Sequence, residues 1–190
     1  METGNMTSNF SEHTEMFDTL LHNINCEEKY SILDAGSGRT SLTIITEKFK
    51  NSYVDAVCFP GDSRKIDSIK ANVTRSNYTV IERDICNYTG WKKYDFVFAH
   101  LLSGEAVTFG NEFLSLLNGL ISVNGRYLMI IDYPEDPQVD FEQIIDRCTN
   151  YSYELVSEHV VNKNEPHYDS KGELVGRYYK GMLFKFRGAV

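Results

Sequence analysis

The most specific chemical signal in the chain is the run Ile32-Leu33-Asp34-Ala35-Gly36-Ser37-Gly38-Arg39-Thr40. Apolar residues and a carboxylate close a short strand, and two glycines follow at a spacing of two. Gly36 and Gly38 let the chain turn sharply and let a ligand approach backbone that carries no Cβ. A helix that starts directly after such a turn has unpaired N–H groups, which favour polar or negatively charged ligand groups. A second candidate is His100, in Phe98-Ala99-His100-Leu101, because an imidazole titrating at about 6.5 suits proton transfer. Glu105, Asp132-Tyr133 and the pair His167-Tyr168 are further polar groups near the ends of apolar runs. The four cysteines (Cys26, Cys58, Cys86 and Cys148) form no C-x-x-C pair, and no Cys/His spacing resembles a zinc site. The expectation is therefore reduced thiols, no metal and a cytoplasmic protein.

Such groups act together only if the fold presents them at one edge, and the hydrophobic pattern supplies that edge. Phe10, Phe17, Leu20, Leu21 and Ile24 fall at helical spacing behind a polar start, with Ser8 or Ser11 as caps. Strands are expected at Ile32-Leu33, at 53–59, 78–85, 94–102 and 126–131. Helices between them carry Leu42, Ile45 and Phe49; then Ile66, Ile69 and Val73; then Phe113, Leu116, Leu117, Leu120 and Ile121; and after the fifth strand Phe141, Ile144, Ile145 and Cys148. Alternating strand and helix means βαβ units and a doubly wound parallel sheet. The tail departs from that rhythm: a strand over 153–161, a polar stretch over 162–176 and a strand over 177–186, with one face of the last more exposed. Two strands with no helix between them pair antiparallel. The expected architecture is α/β: a Rossmann-like doubly wound seven-stranded sheet, mostly parallel, with an antiparallel C-terminal strand. In such a sheet the glycine turn and His100 both lie at the carboxyl ends of the strands, where ligands bind.

The 190 residues suit one domain, 1–190, with an N-terminal tail and amphipathic helix over 1–28 and the α/β core over 29–190. Hydrophobic content of 42% and aromatic content of 13% argue against disorder. The net charge of −8, with no dense Lys/Arg run, disfavours a nucleic-acid partner. No apolar stretch reaches the ~18 residues of a membrane span.

In the segment from about Tyr30 onward the chain resembles the class I S-adenosylmethionine-dependent methyltransferases. Their loop reads roughly Leu-Asp-x-Gly-x-Gly-x-Gly, which Leu33 to Thr40 matches except at the last glycine, and their fold ends in an antiparallel strand. The resemblance implies S-adenosyl-L-methionine as cofactor, held by Asp34, Gly36, Ser37 and Gly38, with Asp84 accepting from the adenine amine and Ile85 and Phe59 packing on the ring. At the end of the second strand, where the family has an acid gripping the ribose hydroxyls, this chain has Cys58; Asp62, past the Pro60-Gly61 turn, is the candidate replacement. His100 is placed near the methyl group, as a catalytic base or a cofactor-lining residue, with Glu105, Asp132 and Tyr133 as weaker candidates. The Asn/Asp-Pro-Pro-Tyr/Phe signature of enzymes that methylate base or glutamine amino groups is replaced by Ala99-His100-Leu101-Leu102. By elimination the resemblance implies an enzyme methylating oxygen or nitrogen of a small molecule.

Two rivals compete. A nicotinamide-dependent oxidoreductase wants Gly-x-Gly-x-x-Gly and an acid about twenty residues on; here Ser41 and Cys58 stand at those places. A cofactor-binding or degenerate methyltransferase-fold module acting through a partner is kept open by the missing ribose acid.

Overall fold

The computed structural model describes residues 6–88, 92–100, 126–136, 139–168 and 172–188. Seven strands form one sheet: β1 (Ser31–Ala35), β2 (Tyr53–Cys58), β3 (Tyr78–Glu82), β4 (Phe96–His100), β5 (Tyr127–Asp132), β6 (Tyr153–Tyr168) and β7 (Leu174–Phe186). Their order is β3-β2-β1-β4-β5-β7-β6. β1 to β5 pair parallel, and β7 runs antiparallel to both β5 and β6. The described helices are α1 (Met6–Leu20), α2 (Arg39–Lys48), α3 (Ser63–Asn72) and α4 (Phe141–Asn150). None of them is long and apolar enough to cross a membrane.

Period-two alternation divides the sheet into two apolar faces. Ile32, Val54, Ala56, Cys58, Phe96, Phe98, Met129 and Ile131 face α1, α2 and α3, where Met16, Phe17, Leu20, Leu42, Ile45, Phe49, Ile66 and Ile69 close over them. Leu33, Val57, Val97, Leu128, Ile130, Met182 and Phe184 face Phe141, Ile144 and Cys148 of α4. Asp34 and His100 continue the first set, so both open toward the α1–α2 side of the sheet.

Several expectations are corrected. Most of the polar stretch over 162–176 is strand and not loop: 162–168 belong to β6 and 174–176 to β7. β6 runs on to Tyr168 and β7 starts at Leu174, forming a long hairpin whose polar residues lie on an edge strand, where one side faces water. Pro166 is tolerated there because an edge strand does not need every N–H. β7 is an interior strand with Met182, Leu183 and Phe184 all buried, because β6 folds back outside it. The third strand stops at Glu82, and Asp84 caps a 3₁₀ turn over Ile85–Asn87. Phe10 lies exposed on α1. The expected helix through Phe113 and Ile121, together with Glu105, lies outside the described residues.

α1 docks on β7 through a glycine. A Cβ on Gly181 would stand 2.4 Å from Met16 Sδ and 2.7 Å from Leu20 Cδ1. Gly181→Val is expected to lower stability by about 1–3 kcal/mol through overpacking. Chemical denaturation checks it, and an unchanged midpoint would mean that α1 does not sit against that strand.

Candidate functional site

The turn after β1 is built around a buried carboxylate. Asp34 is fully buried, and its Oδ2 accepts from Ser37 Oγ at 2.5 Å and from Ser41 Oγ at 3.0 Å. Its Oδ1 is buried with no hydrogen-bond partner among the described residues. Burial pushes the Asp34 pKa up to about 6, against the two hydroxyl donors and the charge of Lys65, which pull it down. Gly36 has φ +72°, the left-handed region that glycine enters without strain. Ser37 N–H donates to Val57 O at 2.7 Å, and Gly38 N–H donates to Ser41 Oγ at 3.2 Å. The backbone donors of Ser37 and Gly38 are thus engaged inside the protein. What this turn offers a ligand is the free lone pairs of Asp34 Oδ1 and the open space above Gly38. An ideal Cβ there would meet only Lys65 Cε, at 3.6 Å.

The groups expected around the rest of a nucleoside are placed unevenly. Cys58 ends β2 with its thiol buried, Sγ donating to Ser37 O at 3.5 Å, and burial pushes its pKa up to about 11. It is a structural thiol, turned away from solvent. Phe59, beyond it, is exposed. Asp62 is the N-cap of α3 and accepts from Lys65 N–H at 3.2 Å. Asp84 caps the 3₁₀ turn with one oxygen and takes Asn87 Nδ2 at 2.9 Å on the other. Ile85 is buried in the core of the α4 face.

His100, at the end of β4, is almost fully buried, and its Nε2 has no hydrogen-bond partner among the described residues. Burial, with help from His13 and Lys65, holds its pKa well below the ordinary value, so the ring is neutral at pH 7. Its neighbours come from α1: His13 lies edge-on at 4.6 Å and Phe17 at 6.4 Å between centroids. From His13 a file of rings crosses the carboxyl edge of the sheet. Tyr179 lies 4.4 Å from His13, Tyr133 stacks on Tyr179 at 5.1 Å, and His167 stacks on Tyr133 at 5.1 Å. Lys163 Nζ donates to Tyr179 Oη at 2.7 Å and stands over the Tyr133 and Tyr179 rings. Glu12 of α1 accepts Asn164 N–H at 2.6 Å, while its Oε2 is buried and has no hydrogen-bond partner among the described residues.

The structure therefore brings Asp34, Gly36, Ser37, Gly38 and His100 to one edge, and adds Tyr133 and His167. Asp62 caps α3 through one oxygen, Asp84 caps the 3₁₀ turn and Ile85 packs in the core. Four contributors escaped sequence reasoning: Ser41, Lys65, Glu12 and His13. Ser41 had a local signal, standing three residues after Gly38 at the position where a capping side chain reaches back. The other three depend on how α1 and α3 lie across the sheet, which no local pattern states.

No protein-family model and no curated protein matches the chain. Solved structures do. An N-methyltransferase, NodS, from Bradyrhizobium japonicum WM9 superimposes with a TM-score of 0.70 at 13% identity, over 96% of this chain and 98% of that one. Magnesium protoporphyrin IX methyltransferase from Synechocystis PCC 6803, with bound S-adenosylmethionine, gives 0.69 at 15% identity over 93% and 80%. A provisionally assigned RNA methyltransferase from Pyrococcus horikoshii gives 0.66 at 14% identity over 92% and 83%. The β3-β2-β1-β4-β5-β7-β6 order and the antiparallel β7 make this the fold of the class I S-adenosylmethionine-dependent methyltransferases.

Proposed function

We propose that the chain is a methyltransferase that binds S-adenosyl-L-methionine at the turn after β1 and methylates oxygen or nitrogen of a small molecule. The observation that carries this reading is the unpartnered Oδ1 of buried Asp34 beside Gly38, where an added Cβ would meet only the Lys65 stem, at 3.6 Å. A buried carboxylate oxygen without a donor is costly unless a ligand supplies one, and the ammonium of the cofactor's amino-acid end is such a donor. The residues therefore fit the cofactor: Asp34 receives the amino-acid end, Gly36 and Gly38 leave room for the nucleoside, and Phe59 is exposed to stack on adenine. When bound, the cofactor supplies an electrophilic methyl group on a sulfonium.

This chain's own contribution is to hold the acceptor in line and to take its proton. His100 is neutral, carries an unpartnered nitrogen and meets the ring file at His13, on the strand next to Asp34, which suits that role. His167, the exposed end of the ring file, offers an aromatic face to the acceptor. The net charge of −8 weighs against nucleic acid as that acceptor.

Calorimetry with S-adenosylhomocysteine tests the cofactor, and its release from S-adenosylmethionine over a panel of phenols, amines and carboxylates tests the activity. His100→Ala is expected to keep homocysteine-nucleoside affinity within about threefold and to lower transfer by about a hundredfold, the usual scale of a lost general base. Equal transfer rates in the two proteins would make His100 a lining residue. The buried thiol at Cys58, where a ribose-gripping acid is expected, supports a second reading: a module that binds the nucleoside and acts through a partner. Tight binding without turnover across the panel would favour it.

A further inference from the structure

The geometry points to Lys65 as the group that grips the cofactor's α-carboxylate while Asp34 takes its α-ammonium, so that both charges of the amino-acid end are read at this turn. The inference rests on the cofactor reading above and assigns that site's main polar recognition to a residue of α3.

Three observations converge. First, the stem of Lys65 lies over the turn: its Cε would be 3.6 Å from a Cβ on Gly38, and the ammonium is bonded to that carbon. Second, that ammonium is uncommitted, belonging to no ion pair among the described residues. Third, Asp34 Oδ1 is equally uncommitted, nine-tenths buried and more, and yet the two opposite charges do not pair with each other. A half-buried cation and a buried carboxylate held near one another but apart leave a gap with a plus and a minus side. One carbon bearing both an ammonium and a carboxylate matches it. The charge of Lys65 also acts on Asp34, Cys58 and His100, drawing each of their pKa values down.

The same arrangement accounts for the tolerance of Cys58. With no acid at the end of β2, polar affinity has to come from elsewhere, and a charge-assisted contact at each end of the amino-acid group supplies it. Lys65 also reaches this place without cost to α3, since only its backbone N–H serves the helix, donating to Asp62.

The test is calorimetry on Lys65→Ala with three ligands: S-adenosylhomocysteine, decarboxylated S-adenosylmethionine, which keeps the amine but lacks the carboxylate, and 5′-methylthioadenosine, which lacks both. Removing one charged hydrogen-bond partner is expected to weaken S-adenosylhomocysteine by about ten- to a hundredfold, and to leave the other two within about twofold. Lys65→Arg is expected to recover most of the loss. Unchanged S-adenosylhomocysteine affinity in Lys65→Ala, or an equal loss for all three ligands, would overturn the assignment. If the unaltered protein binds none of the three, the cofactor reading itself falls and this inference with it.

Discussion

Asparagine in place of Asp34 is expected to weaken S-adenosylhomocysteine binding by at least about a hundredfold while leaving the protein folded and less sensitive to pH. The binding loss follows from removing the charged partner of a buried ammonium, a change worth several kcal/mol where the remaining charge stays desolvated. The folding effect has the opposite sign. Asp34 titrates at about 6 in the folded chain against an ordinary 3.8, because burial outweighs the Ser37 and Ser41 donors and Lys65. Between those two values the folded state binds more protons than the unfolded one, so stability falls as pH rises through the window and stays lowered above it. Two pKa units correspond to on the order of 3 kcal/mol. The amide of asparagine has no such titration, though its NH₂ would occupy the place of Oδ1 without an acceptor and give back part of the gain. Thermal melts of the two proteins from pH 4 to 7.5, compared as a difference, cancel the opposite contribution of buried His100, whose depressed pKa costs stability as pH falls. A parallel pair of melting curves would show that Asp34 is not charged at a cost in the folded protein. Ligand affinity of Asp34→Asn within about threefold of the parent would remove it from the site.

The link between instability and binding explains why the turn is readable in the sequence at all. Asp34, Gly36 and Gly38 are residues that a turn of this kind can hardly replace: a buried acid with a free oxygen, a left-handed backbone position and a Cβ-free gap are each dictated by residue type. The strand and helix cores are readable for a similar reason, since Leu42, Ile45 and Phe49, or Ile66 and Ile69, must repeat at the helical period to be buried at all. The acceptor side is different. Glu12 and His13 are ordinary polar residues on a helix until α1 is laid across β6 and β7, and only then do they meet Asn164 and His100. The long β6–β7 hairpin hides itself because an edge strand tolerates the Asn, Lys, Glu and Pro of 162–168 that elsewhere spell a loop. Asp62 and Asp84 carry two readings at once. An acid just past a strand is the residue type for ribose or adenine, and equally the residue type for capping the next helical turn. Here both carboxylates cap.

Gly38→Val is expected to weaken S-adenosylhomocysteine binding by about a hundredfold and to change stability little. The backbone at Gly38 has φ −133° and ψ 169°, an extended conformation that valine adopts readily. Its Cβ would touch only the Lys65 stem, at an ordinary contact distance. The Gly38 N–H that Ser41 accepts is retained, and glycine contributes no side-chain cap to α2, so none is lost. The two methyl groups therefore project into space that the protein leaves open and that the cofactor reading fills. Forcing two carbons into a packed ligand contact costs about 1–3 kcal/mol. Gly36→Val cannot serve in its stead, because φ +72° strains any branched residue and a lost fold would look like lost binding. Gly38→Ala provides the graded control: a single Cβ fits, and an intermediate affinity is expected. Should Gly38→Val bind the nucleoside as the parent does while melting at the same temperature, the ligand does not lie over this turn, and neither Asp34 nor Lys65 has a reason to touch it.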